Sequence, residues 1–219
     1  MPGTLMYFDL GGRAEAIRAL LGHARFQYED KRLTFEEFGA KKQSGELPLG
    51  SAPVWVEDGF TMCQSSAVLR MLGIRLGYYT DDPMTAWSID SIVDFIEDNR
   101  GAHDNFFSPI LGGGAPDESK GDEFVNGCFG KICPIIERRL AAHGKTFIAG
   151  TDRPTIADFK TFQLHMSSLD PQSPANAVPA SVFPKIMAVI DRHPAYKRWM
   201  MAMKNELTDY IASRPPRPF

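Results

Sequence analysis

Four features of this chain are placed to do chemistry together: a phenol, a glycine turn followed by a cation, a proline opening a strand, and a polar pair opening a helix. They are Tyr7 at the end of the first apolar run, Gly11-Gly12-Arg13 directly after it, Pro53, and Gln64-Ser65. Each is commonplace alone. Within one unit they supply a hydroxyl donor, a strand edge beside a proline and a helix N-terminus whose N–H groups attract an anion, which is what an extended peptide bearing a thiol would require.

Other chemistries are poorly served. The three cysteines, Cys63, Cys128 and Cys133, are odd in number and lack CxxC spacing, which argues against a disulfide framework and a zinc site. All three read as reduced, Cys63 as a core residue of a hairpin strand. The five histidines show no HExxH or paired spacing, so no metal site is expected. A net charge of -3 with interspersed lysines and acids gives no basic stripe, so neither nucleic acid nor an anionic membrane is an expected partner. No segment approaches ~18 consecutive apolar residues, and Met1-Pro2-Gly3-Thr4 does not open a secretory signal, so a cytoplasmic location is the expectation.

The elements that must position these groups are legible in outline. Thr4 to Phe8 reads as a strand, and Arg13 to Ala24 carries Ala16, Ile17, Leu20 and Leu21 at helical spacing. Phe26 to Leu33 alternates like a half-exposed strand, and Thr34 followed by Glu37 opens a short helix with a capping box. Pro53 to Val56 and Phe60 to Met62 flank Glu57-Asp58-Gly59, a hairpin signal because glycine tolerates positive φ, and Ser65 to Leu76 is again helical. This order, β-α-β-α-β-β-α, is that of a thioredoxin-like domain over residues 1-80. Beyond the linker at Tyr78 to Pro83, residues 84-219 read as an all-helical domain, with helices predicted over Thr85 to Ile110, Phe124 to Ala142, Thr155 onward, Ser181 to Arg192 and Ala195 to Met203. In the Thr155 start the acid Asp158 reads as a folding element, and the proline-rich end from Arg214 to Phe219 reads as extended.

Taken together, Tyr7-Phe8, Gly12 to Arg18, Tyr28-Glu29-Asp30, Pro53, Gln64-Ser65, Glu97-Asp98 and Gly150-Thr151-Asp152 through Asp158-Phe159 resemble the cytosolic glutathione transferases. The resemblance covers nearly the whole chain and is nearest to the classes with a catalytic tyrosine (sigma, pi, mu and alpha), sigma or pi favoured. It implies a homodimeric enzyme that takes glutathione as co-substrate, needs no metal or redox cofactor, and conjugates the thiolate to small hydrophobic electrophiles in detoxification. Glutathione-dependent isomerisation or peroxide reduction of lipid substrates is an alternative, as is a noncatalytic, crystallin-like binding role. An adaptor domain of an assembly is a further one.

The resemblance also implies roles. Tyr7 would donate to the glutathione sulfur, and Arg13 would strengthen the field there, against the alternative of a solvated cation or a salt bridge to Glu15 or an acid of the helical domain. Pro53, cis by resemblance, would leave the Ala52 backbone free to pair with the cysteinyl unit. Gln64 and Ser65 would meet the γ-glutamyl carboxylate, Ser65 also as helix cap. Phe38 stands where the sigma and pi classes carry tryptophan, and Ser51 where they often carry glutamine or lysine. Two donors lost from the glycine end at ~1 kcal/mol each would weaken binding by roughly 30-fold. Lys42, with Lys41 behind it, remains for that carboxylate unless both are solvated helix charges. Asp98 would reach across a two-fold interface to the partner's ligand, or else sit on a solvated helix face. The electrophile pocket would draw on Phe8, Leu10, His103, Asn105, Phe106 and Phe107, closed by Tyr210 and Phe219, each of which has an ordinary packing reading beside it.

Overall fold

The computed structural model describes residues 3–112, 114–168 and 178–215. Its sheet has the order β2-β1-β3-β4, with β1 (Thr4–Phe8) central and parallel to β2 (Glu29–Leu33), and β3 (Val54–Glu57) antiparallel to both β1 and β4 (Phe60–Cys63). The predicted hairpin forms at Asp58-Gly59, where both residues have positive φ. Helices α1 (Glu15–His23), α2 (Phe35–Gln43) and α3 (Ser65–Leu76) complete the thioredoxin-like domain. Thr34 and Glu37 satisfy each other's backbone N–H groups in the capping box that the sequence announces.

The C-terminal domain is helical: α4 (Pro83–Asp98), α5 (Gly101–Phe107), α6 (Gly121–Gly127), α7 (Phe129–His143), α8 (Ile156–Ser168), α9 (Phe183–Asp191), α10 (Pro194–Glu206) and α11 (Thr208–Ser213). Two stretches expected as single helices are broken. The first stops at Asn99, whose N–H and side-chain amide both donate to the Phe95 carbonyl, while the next N–H, of Arg100, turns to the Glu97 carbonyl in a tighter bond that ends the α-helical ladder. The second turns at buried Cys128. Strand β2 starts at Glu29 and not Phe26, because Phe26 turns inward against the main core. Helix α11 is absent from the expectation; its residues carry too weak an apolar stripe to announce it.

The two faces of the sheet rest on unequal cores. Helices α1 and α3 bury Ile17, Leu20, Leu21, Val68 and Leu72 in a cluster continuous with Ile92 and Ile96 of α4 and Phe159 of α8. Helix α2 buries none of its own residues fully and lies over a small cluster of Met6, Leu33, Leu47 and Val54, with Phe38 partly inserted. At the entry to α8, Asp158 is fully buried and accepts from the Ile148 and Thr155 N–H groups, the Thr155 hydroxyl and the Trp199 indole. Burial pushes its pKa up and these donors oppose the shift, which is the folding role expected of it.

Candidate functional site

Tyr7 is the penultimate residue of β1, with only 7% of its surface exposed. Its hydroxyl oxygen accepts the backbone N–H of Arg13 at 3.2 Å. Among the described residues nothing takes the hydroxyl's own proton. Gly12 makes this approach possible: its φ is +44°, and an added Cβ would fall 2.7 Å from the Tyr7 oxygen and 2.6 Å from Leu10 Cδ1. The chain then runs through a 3₁₀ turn, Gly12–Ala14, into α1. Arg18, on α1, sits with its guanidinium 5.8 Å from the Tyr7 ring centroid, within cation–π range.

Arg13 is held by acids of the helical domain and not by Glu15. Its Nη1 lies 2.6 Å from Glu97 Oε2 and its Nη2 3.1 Å from Asp104 Oδ2. Glu97 also meets Nζ of Lys160, which is 1% exposed. Burial drives the Lys160 pKa down to about 8 against the pull of Glu97. Burial also disfavours ionised Glu97, but Lys160 and Arg13 outweigh it and hold its pKa below the usual value. Asp104 joins Arg100 at 3.0 Å and His103 at 3.2 Å; despite burial these contacts hold its carboxyl at about 2. Burial brings His103 down to about 4, so it is neutral at pH 7.

The residues expected around a peptide ligand line the same end of the sheet. The Ala52–Pro53 peptide is cis and leads directly into β3. Gln64 is exposed, has φ 69° and occupies the N-cap position of α3. Ser65 is therefore the first helical residue and not the cap, a correction to the sequence expectation. No side chain caps α3, so its first N–H groups carry the positive end of the helix dipole uncovered by a side chain. The Lys42 stem runs past Gly50, where an added Cβ would come within 3.2 Å of Cε, while Lys41 is tied to Glu46 at 2.6 Å. Among the described residues neither Lys42 nor exposed Asp98, at the end of α4, has an ion-pair partner. Phe38 packs into the small cluster with its ring 5.0 Å from that of Phe8.

Phe8 and Leu10 border a groove of about 450 Å³, shared with Leu33, Thr34, Phe35, Ile110 and Leu111 and edged by Asp9 and Arg32. Leu10 and the Tyr7 hydroxyl both abut Gly12, so Leu10 connects the phenol to a groove that Tyr7 does not itself line. The other expected pocket residues lie elsewhere. His103, Phe106 and Phe107 face inward, Phe106 stacked on Phe124 at 4.5 Å with Phe107 edge-on, because the buried side of α5 meets α6 and not the groove. Asn105 is exposed on α5. Tyr210 donates to Glu15 at 2.7 Å and covers Gly22 on α1, away from the groove, where Arg214 also meets Glu15. Phe219 lies outside the described residues. The sequence reading did not assign Phe35, Ile110 and Leu111 to the site, nor Lys160 and Gln163; the polar residues among the apolar ones of α8 were the available signal for the last two.

Among the described residues no group of three His, Cys, Asp or Glu side chains could hold a metal ion, and no helix is long and apolar enough to cross a membrane. Residues 3–73 match the family model of the glutathione S-transferase N-terminal domain, and residues 103–214 that of the C-terminal domain. A probable glutathione S-transferase of Caenorhabditis elegans, gst-36, is 31% identical over 204 residues, covering 90% of this chain and 95% of the relative. Human glutathione S-transferase P is 29% identical over 165 residues, 74% of this chain and 75% of that one. The crystal structure of the glutathione S-transferase from Ascaris lumbricoides superposes over all of both chains with a TM-score of 0.81 at 26% identity. A hookworm enzyme from Necator americanus, described as monomeric, does so with the same score at 27%.

Proposed function

The chain belongs to the glutathione S-transferase family, and from that premise we propose that it is a tyrosine-type transferase in which Tyr7 is the hydrogen-bond donor to the glutathione thiolate. A free cysteine thiol has a pKa of ~8.5, so only a few per cent is thiolate at pH 7. Lowering that value by about 1.5 units takes roughly 2 kcal/mol, within the range of a hydrogen bond to a charged group in a dry site. The observation that carries this reading is the Tyr7 hydroxyl itself. Its oxygen already accepts the Arg13 N–H, its proton is uncommitted among the described residues, and Leu10, which lines the apolar groove, abuts the same glycine as the hydroxyl.

In the reaction so drawn the thiol proton leaves to solvent, Tyr7 and the field of Arg13 stabilise the sulfur anion, and sulfur attacks an electrophilic carbon held in the groove by Phe8, Leu10, Phe35, Ile110 and Leu111. A C–S bond forms and the electrons of the breaking bond depart with the leaving group or collect on an acceptor. Glutathione is the co-substrate and no further cofactor is required. The Ala52 backbone pairs with the cysteinyl unit as an added strand, Gln64 and the uncapped start of α3 with Ser65 receive the γ-glutamyl carboxylate, and Lys42 receives the glycine carboxylate. Phe38 supports the glutathione floor through packing and has no donor to give.

We assign the chain to the sigma- or pi-like classes, place the domain division at 1-80 and 84-219, and expect a cytoplasmic homodimer. What supports the dimer is that Phe60 on β4, Ile74 on α3 and Met84 and Trp87 at the start of α4 are each at least 59% exposed, apolar surface that a partner copy would cover. Sedimentation would show a monomer if that surface is idle. The central test is ultraviolet titration of bound glutathione, with conjugation of a generic aryl halide alongside. Tyr7→Phe should raise the thiol pKa by about 1.5 units and lower turnover at pH 7 by roughly 15-fold; equal ionisation in both proteins would remove Tyr7 from the mechanism.

A further inference from the structure

Gln163 lies on α8 of the helical domain, 1% exposed, and its side-chain Nε2 donates to the carbonyl oxygen of Gly12 at 2.7 Å. That carbonyl and the N–H of Arg13 belong to one peptide unit, and the same N–H donates to the Tyr7 oxygen. The three groups therefore form a continuous chain: Gln163 amide to Gly12 carbonyl, through the peptide to Arg13 N–H, then to the Tyr7 hydroxyl. Hydrogen bonds arranged in series polarise one another, on the order of 10–30% per bond. Donation into the carbonyl makes the Arg13 N–H a stronger donor, and that in turn makes the phenol a stronger donor through its remaining proton.

Stability alone does not account for this residue. The Gln163 side-chain oxygen is buried with no hydrogen-bond partner among the described residues. A half-satisfied buried amide on a helix face costs free energy that an apolar side chain of similar length would avoid. The amide orientation is fixed by chemistry, since only the N–H end can face a carbonyl oxygen.

We propose that Gln163 is a positioning residue for thiolate formation, acting from the second domain through the Gly12–Arg13 peptide on Tyr7. The inference rests on Tyr7 as the donor to sulfur. The thiol pKa of bound glutathione, the KM for glutathione and the thermal midpoint are measured in the wild type, Gln163→Met, Tyr7→Phe and the double variant. Gln163→Met should leave the midpoint unchanged or raised and the KM unchanged, and should raise the thiol pKa by about half a unit, roughly threefold less thiolate below the pKa. In the Tyr7→Phe background the same change should do nothing further, because the relay ends at the missing hydroxyl. Gln163→Asn, which draws the amide back by about one C–C bond (~1.5 Å), should reproduce the pKa rise while keeping a polar side chain, and decides the matter if the Met variant does not fold. An unchanged thiol pKa beside a working Tyr7→Phe effect overturns the proposal while Tyr7 stands. So does an equal shift in both backgrounds. A Tyr7→Phe protein that ionises glutathione normally overturns the Tyr7 reading instead.

Discussion

The Gly12–Arg13 turn and the rim formed by α2 and the loop to Pro53 belong to one candidate site but are built differently. The turn is braced from the second domain: Gln163 holds its carbonyl, Glu97 and Asp104 hold the Arg13 side chain, and Lys160 backs Glu97 from a buried position. The rim rests on the four-residue cluster under α2, and Lys42 extends from it without an ion-pair partner among the described residues. The difference divides the labour. In the proposed reading, chemistry that depends on a hydrogen bond placed within tenths of an ångström sits where packing over-determines the backbone. In the same reading, recognition of a flexible carboxylate is left to a long cationic side chain on a lightly held helix.

Acid should bring the largest effect, by weakening the helical domain that braces the turn, because that domain buries His103 and His165. Burial drives their pKa values down to about 4 and about 3, so both are neutral in the folded protein where the unfolded chain titrates near 6.5. Stability is then full above pH 6.5 and falls as pH drops toward those folded-state values, with a slope of up to ~1.4 kcal/mol per pH unit for each histidine. Below about pH 3.8, Asp104 adds to the loss down to its folded value of about 2, while Asp158, whose pKa is raised, works the other way. Denaturant midpoints between pH 7 and pH 4 check this, and a flat profile would mean that neither histidine is buried neutral.

Gly12→Ala comes next, since the new methyl group meets the Tyr7 oxygen in a residue held at φ +44°. We expect kcat/KM to fall by ~100-fold or more, the loss that a displaced catalytic hydroxyl brings. Gly50→Ala on the rim also has a positive φ, +60°, but meets only the flexible Lys42 stem, so it should cost activity no more than a few fold. Equal losses at the two glycines would erase the contrast. Arg13→Ala should lower turnover by about tenfold, the scale of one partly screened charge, and move the thermal midpoint less than it moves turnover. Lys42→Ala should raise the KM for glutathione by about fivefold, the equivalent of ~1 kcal/mol, with kcat intact. A fall in kcat there would place the rim in the chemistry.

Much of the N-terminal domain is legible because its signals are local. The Thr34 and Glu37 capping box, the Asp58-Gly59 hairpin and the α3 start each depend on residues a few positions apart, whose effect on φ, ψ and N–H satisfaction is fixed by covalent geometry. The helical domain is legible only as helices. Periodicity shows that Phe106 and Phe107 share an apolar face, but not whether it meets α6 or the groove, and it gives no sign that Asn99 would stop α4. Tyr210 shows the same limit, since its partner Glu15 lies 195 positions away.

What the sequence determined by itself is the set of parts at this end of the sheet: a phenol near the end of a strand, a glycine able to let the chain approach it, and a polar pair at a helix start. Tertiary structure alone decided that Gln163, 151 positions from Gly12, completes the turn, and that Phe35, Ile110 and Leu111 join Phe8 and Leu10 around the groove. The reason is physical. Local geometry is set by sterics between neighbours in the chain, whereas which polar atom finds which carbonyl across two domains depends on how their apolar faces pack.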